Sequence, residues 1–512
     1  MFSSDSGDFS FTVALEDEQA THRLVADIAG LIEPGDLITL SGDLGAGKTA
    51  FARAFIRHIA GDDTIEVPSP TFTLVQQYDL PRFPLLHADL YRLSGPDDLA
   101  ELGLDEMSAH AVTLMEWPDR AEDHLRPDRL DIAFMLSPLH GETYRDAEIT
   151  GYGSFAPRAE RIALIRRFLL ESGFGQATRV RIQGDASTRS YERLTRGKDS
   201  FILMNSPKRP DGPPVRDGKP YSAIAHLAED VTPFIAMAKG LRMLGLSSPA
   251  IHAANREGGL LVLEDLGNDL VVEGNPPRPI QDRYAAAADL LAALHRERTH
   301  DTISVEPNLQ YRLPYYDMPA MLIEAELLLD WFLPYLGRTP SAAACDDYLA
   351  LWQDALTPAL DAPLTWVLRD YHSPNLLWLP RREGIARVGL LDFQDAMMGP
   401  GAYDLASLLQ DARVDVPESM EIALLSRYTR ARLAADPSFD APAFVQIYAT
   451  MAAQRASKIL GIFARLDRRD GKPQYLRHLP RVWSYLQRAL AHPSLAALAE
   501  WYRVNLPAQK AQ

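Results

Sequence analysis

Cysteine is almost missing from this chain: Cys345 is the only one in 512 residues. No disulfide can form within the chain, and no cysteine-built metal cluster can be assembled. Long apolar runs are missing too. The most apolar helical stretch, residues 285–294, is interrupted by Asp289 and falls well short of the roughly 20 residues that a membrane-spanning helix needs. The opening MFSSDSGDFS lacks the basic-then-apolar pattern of a secretory signal, so the expectation is a cytoplasmic protein with no membrane partner. Basic residues are in deficit: 52 Lys and Arg against 69 Asp and Glu give a formal charge of −17. Such a surface repels phosphate backbones, so little direct nucleic-acid binding is expected. No fixed-period repeat is present. What is there is an ordinary globular composition, 46% apolar and 24% charged, on a chain too long for one hydrophobic core.

The first part alternates strand-like and helix-like segments. Residues 11–15 read as a strand, Asp17 or Glu18 opens a helix to about Leu31, and 37–40 is a short apolar run before a glycine-rich turn. Phe51, Phe55 and Ile59 mark the helix that follows, and Leu85–Leu86 and 112–115 read as buried strands. This alternation predicts a parallel sheet. A composition shift at 151–157 (GYGSFAP) suggests a linker before a helix from about Arg158. Short strands are expected near 179–183, 191–195 and 201–204, and a mobile loop over 208–220, rich in Pro, Gly and charge. Beyond about Gly267 the pattern is mainly helical, broken by a strand–loop–strand island at 365–392. The expected architecture is an α/β P-loop NTPase domain (1–153) followed by an α+β protein-kinase-like bilobal fold, with an N-lobe at 154–266 and a C-lobe at 267–512.

Gly42-Asp43-Leu44-Gly45-Ala46-Gly47-Lys48-Thr49 fits G-x-x-x-x-G-K-[ST]. Its glycines let backbone N–H groups turn inward around phosphate oxygens, and the helix that follows offers its N-terminus to the anion. In this pattern the lysine reaches the β- and γ-phosphates and the threonine hydroxyl ligates Mg²⁺. Hydrolysis also needs a strand-end acid to organise the metal. Glu116 and Asp89 stand at such positions, although either could be a solvated acid. Thr71, in PSPTFTLV, is a candidate γ-phosphate sensor or simply part of a rigid turn.

GDLGAGKT, SPTFTLV, HADLYRL (87–93), ELGLD (101–105) and MEWP (115–118) follow one another here in the order found in the TsaE family. The chain resembles that family over about residues 10–152. The resemblance implies an ATPase of the bacterial machinery that makes threonylcarbamoyladenosine in tRNA, working with TsaD and TsaB-like partners. It implies Lys48 and Thr49 as nucleotide and Mg²⁺ contacts, Glu116 as the Walker-B-like acid, Asp89 as a catalytic or metal-organising acid, and Trp117 as a functional neighbour. A nucleotide-gated binding subunit and a P-loop kinase are the other readings of these residues.

A second constellation lies far downstream. Asp370 follows the apolar run 365–368, and Asn375 stands five residues later. Seventeen residues on, the run Leu390-Leu391 ends in Asp392. An Asp that accepts a hydroxyl proton, with an Asn and a second Asp that ligate Mg²⁺, is what phosphoryl transfer from ATP requires. His372 could be a base, but a structural or surface role is preferred. GDASTRSY (184–191), LVLEDLG (261–267), the Asp370 loop, residues 391–396 and GPGAYDLASLLQD (399–411) resemble the aminoglycoside phosphotransferase-like kinases. Within them the likeness is to the amino-sugar anomeric kinases of the AmgK type. The resemblance covers about residues 158–505. It implies Asp370 as catalytic base, Asn375 and Asp392 as metal ligands, 264–266 (Glu264 and Leu266) as the adenine hinge, and 184–190 (with Ser187 and Arg189) as the loop over the phosphates. The implied substrates are N-acetylmuramate and N-acetylglucosamine. Two departures stand out. The usual H-G-D or H-R-D reads Leu368-Arg369-Asp370, and Met204 occupies the place of the β3 lysine, so Arg189, Lys208 or the loop backbone must serve the phosphates. A kinase for another hydroxyl (aminoglycoside, choline, homoserine) and a regulatory pseudokinase are the alternatives.

Overall fold

The computed structural model describes residues 7–93, 103–121, 124–137, 141, 144–182, 189–208 and 211–506. The chain divides into two compact units, Met1–Asn205 and Ser206–Gln512.

The first unit is built on a seven-stranded sheet. In chain order its strands are β1 (Phe9–Leu15), β2 (Leu37–Gly42), β3 (Val75–Asp79), β4 (Pro84–Asp89), β5 (Val112–Glu116), β6 (Arg129–Leu136) and β7 (Arg145–Tyr152), arranged β1-β7-β6-β2-β5-β4-β3. The sheet is mixed rather than parallel. Only β6, β2, β5 and β4 run parallel, whereas β3 pairs antiparallel with β4, and β7 antiparallel with both β6 and β1. The physical reason is visible between β3 and β4: four intervening residues allow a hairpin but not the crossover that a parallel pair requires. Helix α1 (Glu18–Ala29) starts where Asp17 caps it by accepting from the Ala20 N–H at 2.7 Å. Helix α2 (Lys48–Ala60) begins directly after the glycine-rich loop, and its Phe51 and Phe55 are buried in the sheet core.

The helix Ala156–Glu171 belongs to the same unit. Its Ala159 and Ile162 join the core of the seven-stranded sheet, and Gly151 on β7 lets it approach closely, since a Cβ there would lie 2.6 Å from that of Ala159. Strands β8 (Thr178–Ile182), β9 (Ser190–Arg196) and β10 (Asp199–Asn205) then form an antiparallel meander. Arg179 of β8 grips Glu192 of β9 with two hydrogen bonds (2.7 and 3.0 Å) and also bonds Asp27 of α1, which Arg166 holds at 2.6 Å.

The second unit is mainly helical, as the pattern predicts, with Ala342–Leu360, Glu418–Ala435 and Ala441–Arg468 its longest helices. The expected mobile loop over 208–220 instead carries, in its described part, a small hairpin of Pro214–Arg216 with Lys219–Pro220. Asp217-Gly218 makes its two-residue turn, both residues with positive φ (49° and 72°), which is the geometry that favours Asp-Gly. The strand–loop–strand island is present. Leu364–Val367 pairs antiparallel with Met397–Pro400, and Leu376–Trp378 with Val388–Leu390. No helix among the described residues is long and apolar enough to cross a membrane.

Candidate functional site

The loop between β2 and α2 is shaped for close backbone approach. Gly42 (φ 130°) leaves no room for a Cβ, which would sit 2.4 Å from the Phe134 carbonyl oxygen, and Gly47 (φ 112°) opens α2 in a left-handed conformation. Arg145 on β7 holds the loop from outside, its Nε donating to the Ala46 carbonyl at 2.8 Å and an Nη to that of Gly45 at 3.3 Å. Leu44 at the loop tip is 78% exposed, and Ala46 is buried. The Lys48 ammonium donates to the Gly42 and Asp43 carbonyls (2.7 and 2.9 Å) and lies 3.6 Å from the centre of the Trp117 ring. Burial lowers its pKa, opposed by the charges of Glu116 and Asp89. Trp117 is turned toward the lysine by a left-handed backbone (φ 60°) just past the end of β5.

The predicted acids converge. Asp89 and Glu116 are register partners at the ends of the parallel pair β4–β5. The Thr49 hydroxyl donates to Glu116 Oε2 at 2.7 Å, so the two proposed metal ligands of this site touch. Asp89 accepts from Ser69 at 2.6 Å, from Thr71 at 3.3 Å and from the Tyr91 N–H at 3.1 Å. Thr71 thus hydrogen-bonds Asp89, beside Glu116, from the turn over Pro70–Leu74. Sequence reasoning missed His87, which is fully buried, with Nε2 2.9 Å from Glu116 Oε1 and Nδ1 without a hydrogen-bond partner. A histidine inside an apolar strand two residues before Asp89 was the available signal. Arg145 had none, because it acts across 99 positions.

In the second unit the catalytic loop is fixed by its own backbone. Asn375 donates its side-chain N–H to the Asp370 carbonyl at 2.9 Å, which turns the amide oxygen the other way. The Leu391 N–H donates to the Asn375 carbonyl at 2.9 Å, and Leu376 pairs with Leu390. Asn375 and Asp392 thus flank one antiparallel strand pair. Asp392 is held in a left-handed conformation (φ 56°) and accepts from Gln394 at 2.9 Å. Among the described residues no group of three or more His, Cys, Asp or Glu side chains could hold a metal by itself. The donor set, one amide oxygen and one carboxylate, suits a hard cation whose remaining ligands are phosphates and water.

The anchor that Leu368-Arg369-Asp370 lacks at the sequence level comes from elsewhere. Buried Asp404 accepts from the Leu368 and Arg369 N–H groups (2.6 and 2.9 Å). Burial pushes its carboxyl up to about 7, against those two donors, which favour the ionised form. The Arg369 side chain donates to the Ala225 carbonyl at 3.0 Å and to the fully buried Glu324, which also receives Lys458 at 2.7 Å and the Tyr316 hydroxyl at 2.5 Å. Asp411 receives the N–H and hydroxyl of Ser373.

Asp370 itself is 43% exposed, with His372 Nε2 3.7 Å from its Oδ1. Burial would raise its pKa, but His372, Lys458 and Arg369 outweigh that and hold the carboxyl well below the usual carboxylate range. His372 is buried, so it is no surface residue, and it does have a partner. At the expected hinge the Glu264 side chain is occupied. Its carboxylate is taken by Arg382 (2.5 Å), Arg242 (3.5 Å) and the Ala250 N–H (3.0 Å), which leaves only the backbone there for a purine. Leu266 packs beside Gly389 on the strand that leads to Asp392. Met204 is buried and Lys208 exposed; Arg189 is half-buried just before β9, and Ser187 lies outside the described residues.

Residues 15–142 match the family described as Threonylcarbamoyl adenosine biosynthesis protein TsaE, and residues 178–443 match the Phosphotransferase enzyme family, APH. A Caulobacter vibrioides protein named N-acetylmuramate/N-acetylglucosamine kinase is 40% identical over 364 residues, 69% of this chain and 98% of that protein. A Pseudomonas aeruginosa protein of the same name is 35% identical, over 64% of this chain and 89% of its own length. A Rickettsia bellii protein named tRNA threonylcarbamoyladenosine biosynthesis protein TsaE is 40% identical over 116 residues, 23% of this chain and 79% of that protein. The chain belongs to both families. It is a TsaE–APH fusion: a P-loop ATPase domain and a kinase-like phosphotransferase, both of families that use ATP. In the TsaE part the motif residues Lys48, Thr49, Asp89, Glu116 and Trp117 gather at one sheet edge. In the APH part Asp370, Asn375 and Asp392 gather around one loop.

Proposed function

We propose that the TsaE part hydrolyses ATP in support of threonylcarbamoyladenosine formation in tRNA, with TsaD and TsaB-like partners. The APH part phosphorylates N-acetylmuramate and N-acetylglucosamine at the anomeric hydroxyl. The observation that carries this reading is that each part sets its two candidate metal ligands close in the fold: the Thr49 hydroxyl bonds Glu116, and the Asn375 carbonyl accepts from Leu391, the residue before Asp392. Thr49 with Glu116, and Asn375 with Asp392, would hold Mg²⁺, which would supply charge to offset that of the phosphates. In the first site Lys48 exchanges its loop carbonyls for phosphate oxygens, while Asp89 and Glu116 organise the attacking water and the metal. In the second, Asp370 accepts the proton of the sugar hydroxyl as its oxygen attacks the γ-phosphorus, and ADP departs. The hinge backbone at 264–266 meets adenine, and Arg189, Lys208 or the 184–190 backbone serves the α- and β-phosphates. The segments are 1–153 for the ATPase, 154–266 for the N-lobe and 267–512 for the C-lobe.

The test is ADP release by the full chain with a panel of amino sugars, aminoglycosides, choline and homoserine. Sugar-1-phosphate formed from N-acetylmuramate and N-acetylglucosamine supports the reading; turnover confined to a cationic acceptor overturns it.

A further inference from the structure

Arg465 forms no ion pair with a carboxylate among the described residues. It sits on the helix Ala441–Arg468, half-buried, with Nε buried and without a hydrogen-bond partner. The acid whose charge acts on Arg465 is Asp470, and the acid held by Lys458, seven residues back along its face, is Glu324; both are committed elsewhere. Glu324 is shared by Arg369 and Lys458, and Asp470 is gripped by Arg469 at 2.7 and 3.0 Å. The guanidinium lies over the Tyr221 ring, 5.5 Å from its centre. Tyr221 is positioned by the short helix Tyr221–Ile224, which packs on Ile323. A partly buried cation without an anion is costly, and native structures rarely keep one without a reason.

Two helical turns back, on the same face, is Lys458, about 10 Å away along the axis at 1.5 Å per residue. Lys458 spends two of its three donors on Glu324 and the Tyr403 hydroxyl, and its charge is one of those acting on Asp370. The helix face that carries Lys458, which reaches Arg369 of the Asp370 loop through Glu324, therefore also carries Arg465 about 10 Å farther along the axis.

We propose that Arg465, backed by the Tyr221 ring, binds the carboxylate of an acidic sugar acceptor whose hydroxyl lies at Asp370, and so sets preference for N-acetylmuramate over N-acetylglucosamine. This rests on the amino-sugar reading above and deepens it. N-acetylmuramate carries a lactyl carboxylate and N-acetylglucosamine does not, so the arginine discriminates between two acceptors that are otherwise alike. Burial lowers the pKa of Arg465, a desolvation cost that the bound carboxylate offsets.

The experiment is steady-state kinetics of the full chain and its Arg465→Met and Arg465→Lys variants with both sugars, and with the carboxamide of N-acetylmuramate. The expected result for Arg465→Met is a KM for N-acetylmuramate raised about tenfold or more. Its kcat/KM for N-acetylglucosamine and for the carboxamide should stay within about twofold, with Arg465→Lys between the two. The intact N-acetylglucosamine activity shows that the variant folds. An equal loss on all three acceptors, or no change on N-acetylmuramate, overturns the assignment. A chain that phosphorylates neither sugar overturns the amino-sugar reading, and this inference with it.

Discussion

At the residue scale, the second site depends on a carboxylate that stays ionised. Against its partial burial, His372, Lys458 and Arg369 hold Asp370 low, so it stays ionised at neutral pH. Asp370→Asn keeps the shape and removes the base. Sugar phosphorylation by this variant should fall by about 10²–10⁴-fold, with the affinity for an ATP analogue nearly unchanged; a loss below about threefold would remove Asp370 from its role. The candidate site residues were legible because phosphoryl transfer dictates residue types at fixed short spacings: Lys48-Thr49 after a glycine loop, and Asp370 five before Asn375. Their supports were not. His87, Arg145, Glu324 and Lys458 are chosen by three-dimensional neighbours rather than by local pattern. At the expected hinge, whether the Glu264 side chain or its backbone is free depends on Arg382, a partner 118 positions away that no local motif announces.

At the scale of elements, the Asp370 loop is clamped by helices outside it. Glu324 on Met318–Leu327 joins Lys458 on Ala441–Arg468 to Arg369 in the loop. Burial alone would raise the Glu324 carboxyl; Lys458 and Arg369 reverse that and bring it down to about 2, from an ordinary 4.5. A folded value below the unfolded one means the stabilisation is complete above about pH 4.5 and is lost as pH falls toward 2. At about 1.4 kcal/mol per unit it amounts to roughly 3 kcal/mol. Glu324→Gln strands two buried cations, a loss of about 3–5 kcal/mol at neutral pH. Urea midpoints measured from pH 7 to 3 should show the gap between this variant and the unsubstituted chain closing at the acid end; a gap independent of pH would contradict the account. Elements themselves were partly legible. Helix α1 announced itself through Asp17, and the 365–392 island through its apolar runs. The mixed sheet was not, since buried strands read as apolar runs whichever way they point. The hairpin at 214–220 was hidden behind prolines and charge, although its Asp217-Gly218 turn was in plain view.

At the scale of the molecule, the P-loop sheet, the helix Ala156–Glu171 and strands β8–β10 form one compact unit ending at Asn205. Packing therefore continues past residue 153, where the family resemblance changes. The composition shift at 151–157 falls between the two family matches, 15–142 and 178–443, whereas contact is set by groups such as Asp27 and Arg179, 152 positions apart. Arg179→Met leaves Asp27 with Arg166 alone and Glu192 buried without its bidentate partner, so the first unit should lose about 3–5 kcal/mol. A lowered first transition in thermal unfolding of the full chain checks this; an unchanged trace would make the network incidental. The central claim is that one chain holds two separate ATP engines. Titration calorimetry of the full chain with Mg²⁺ and a non-hydrolysable ATP analogue tests it directly. The account predicts two equivalents bound, reduced to one by Lys48→Ala and independently to one by Asp392→Ala. A single equivalent in the unsubstituted chain, or two in both variants, would contradict it.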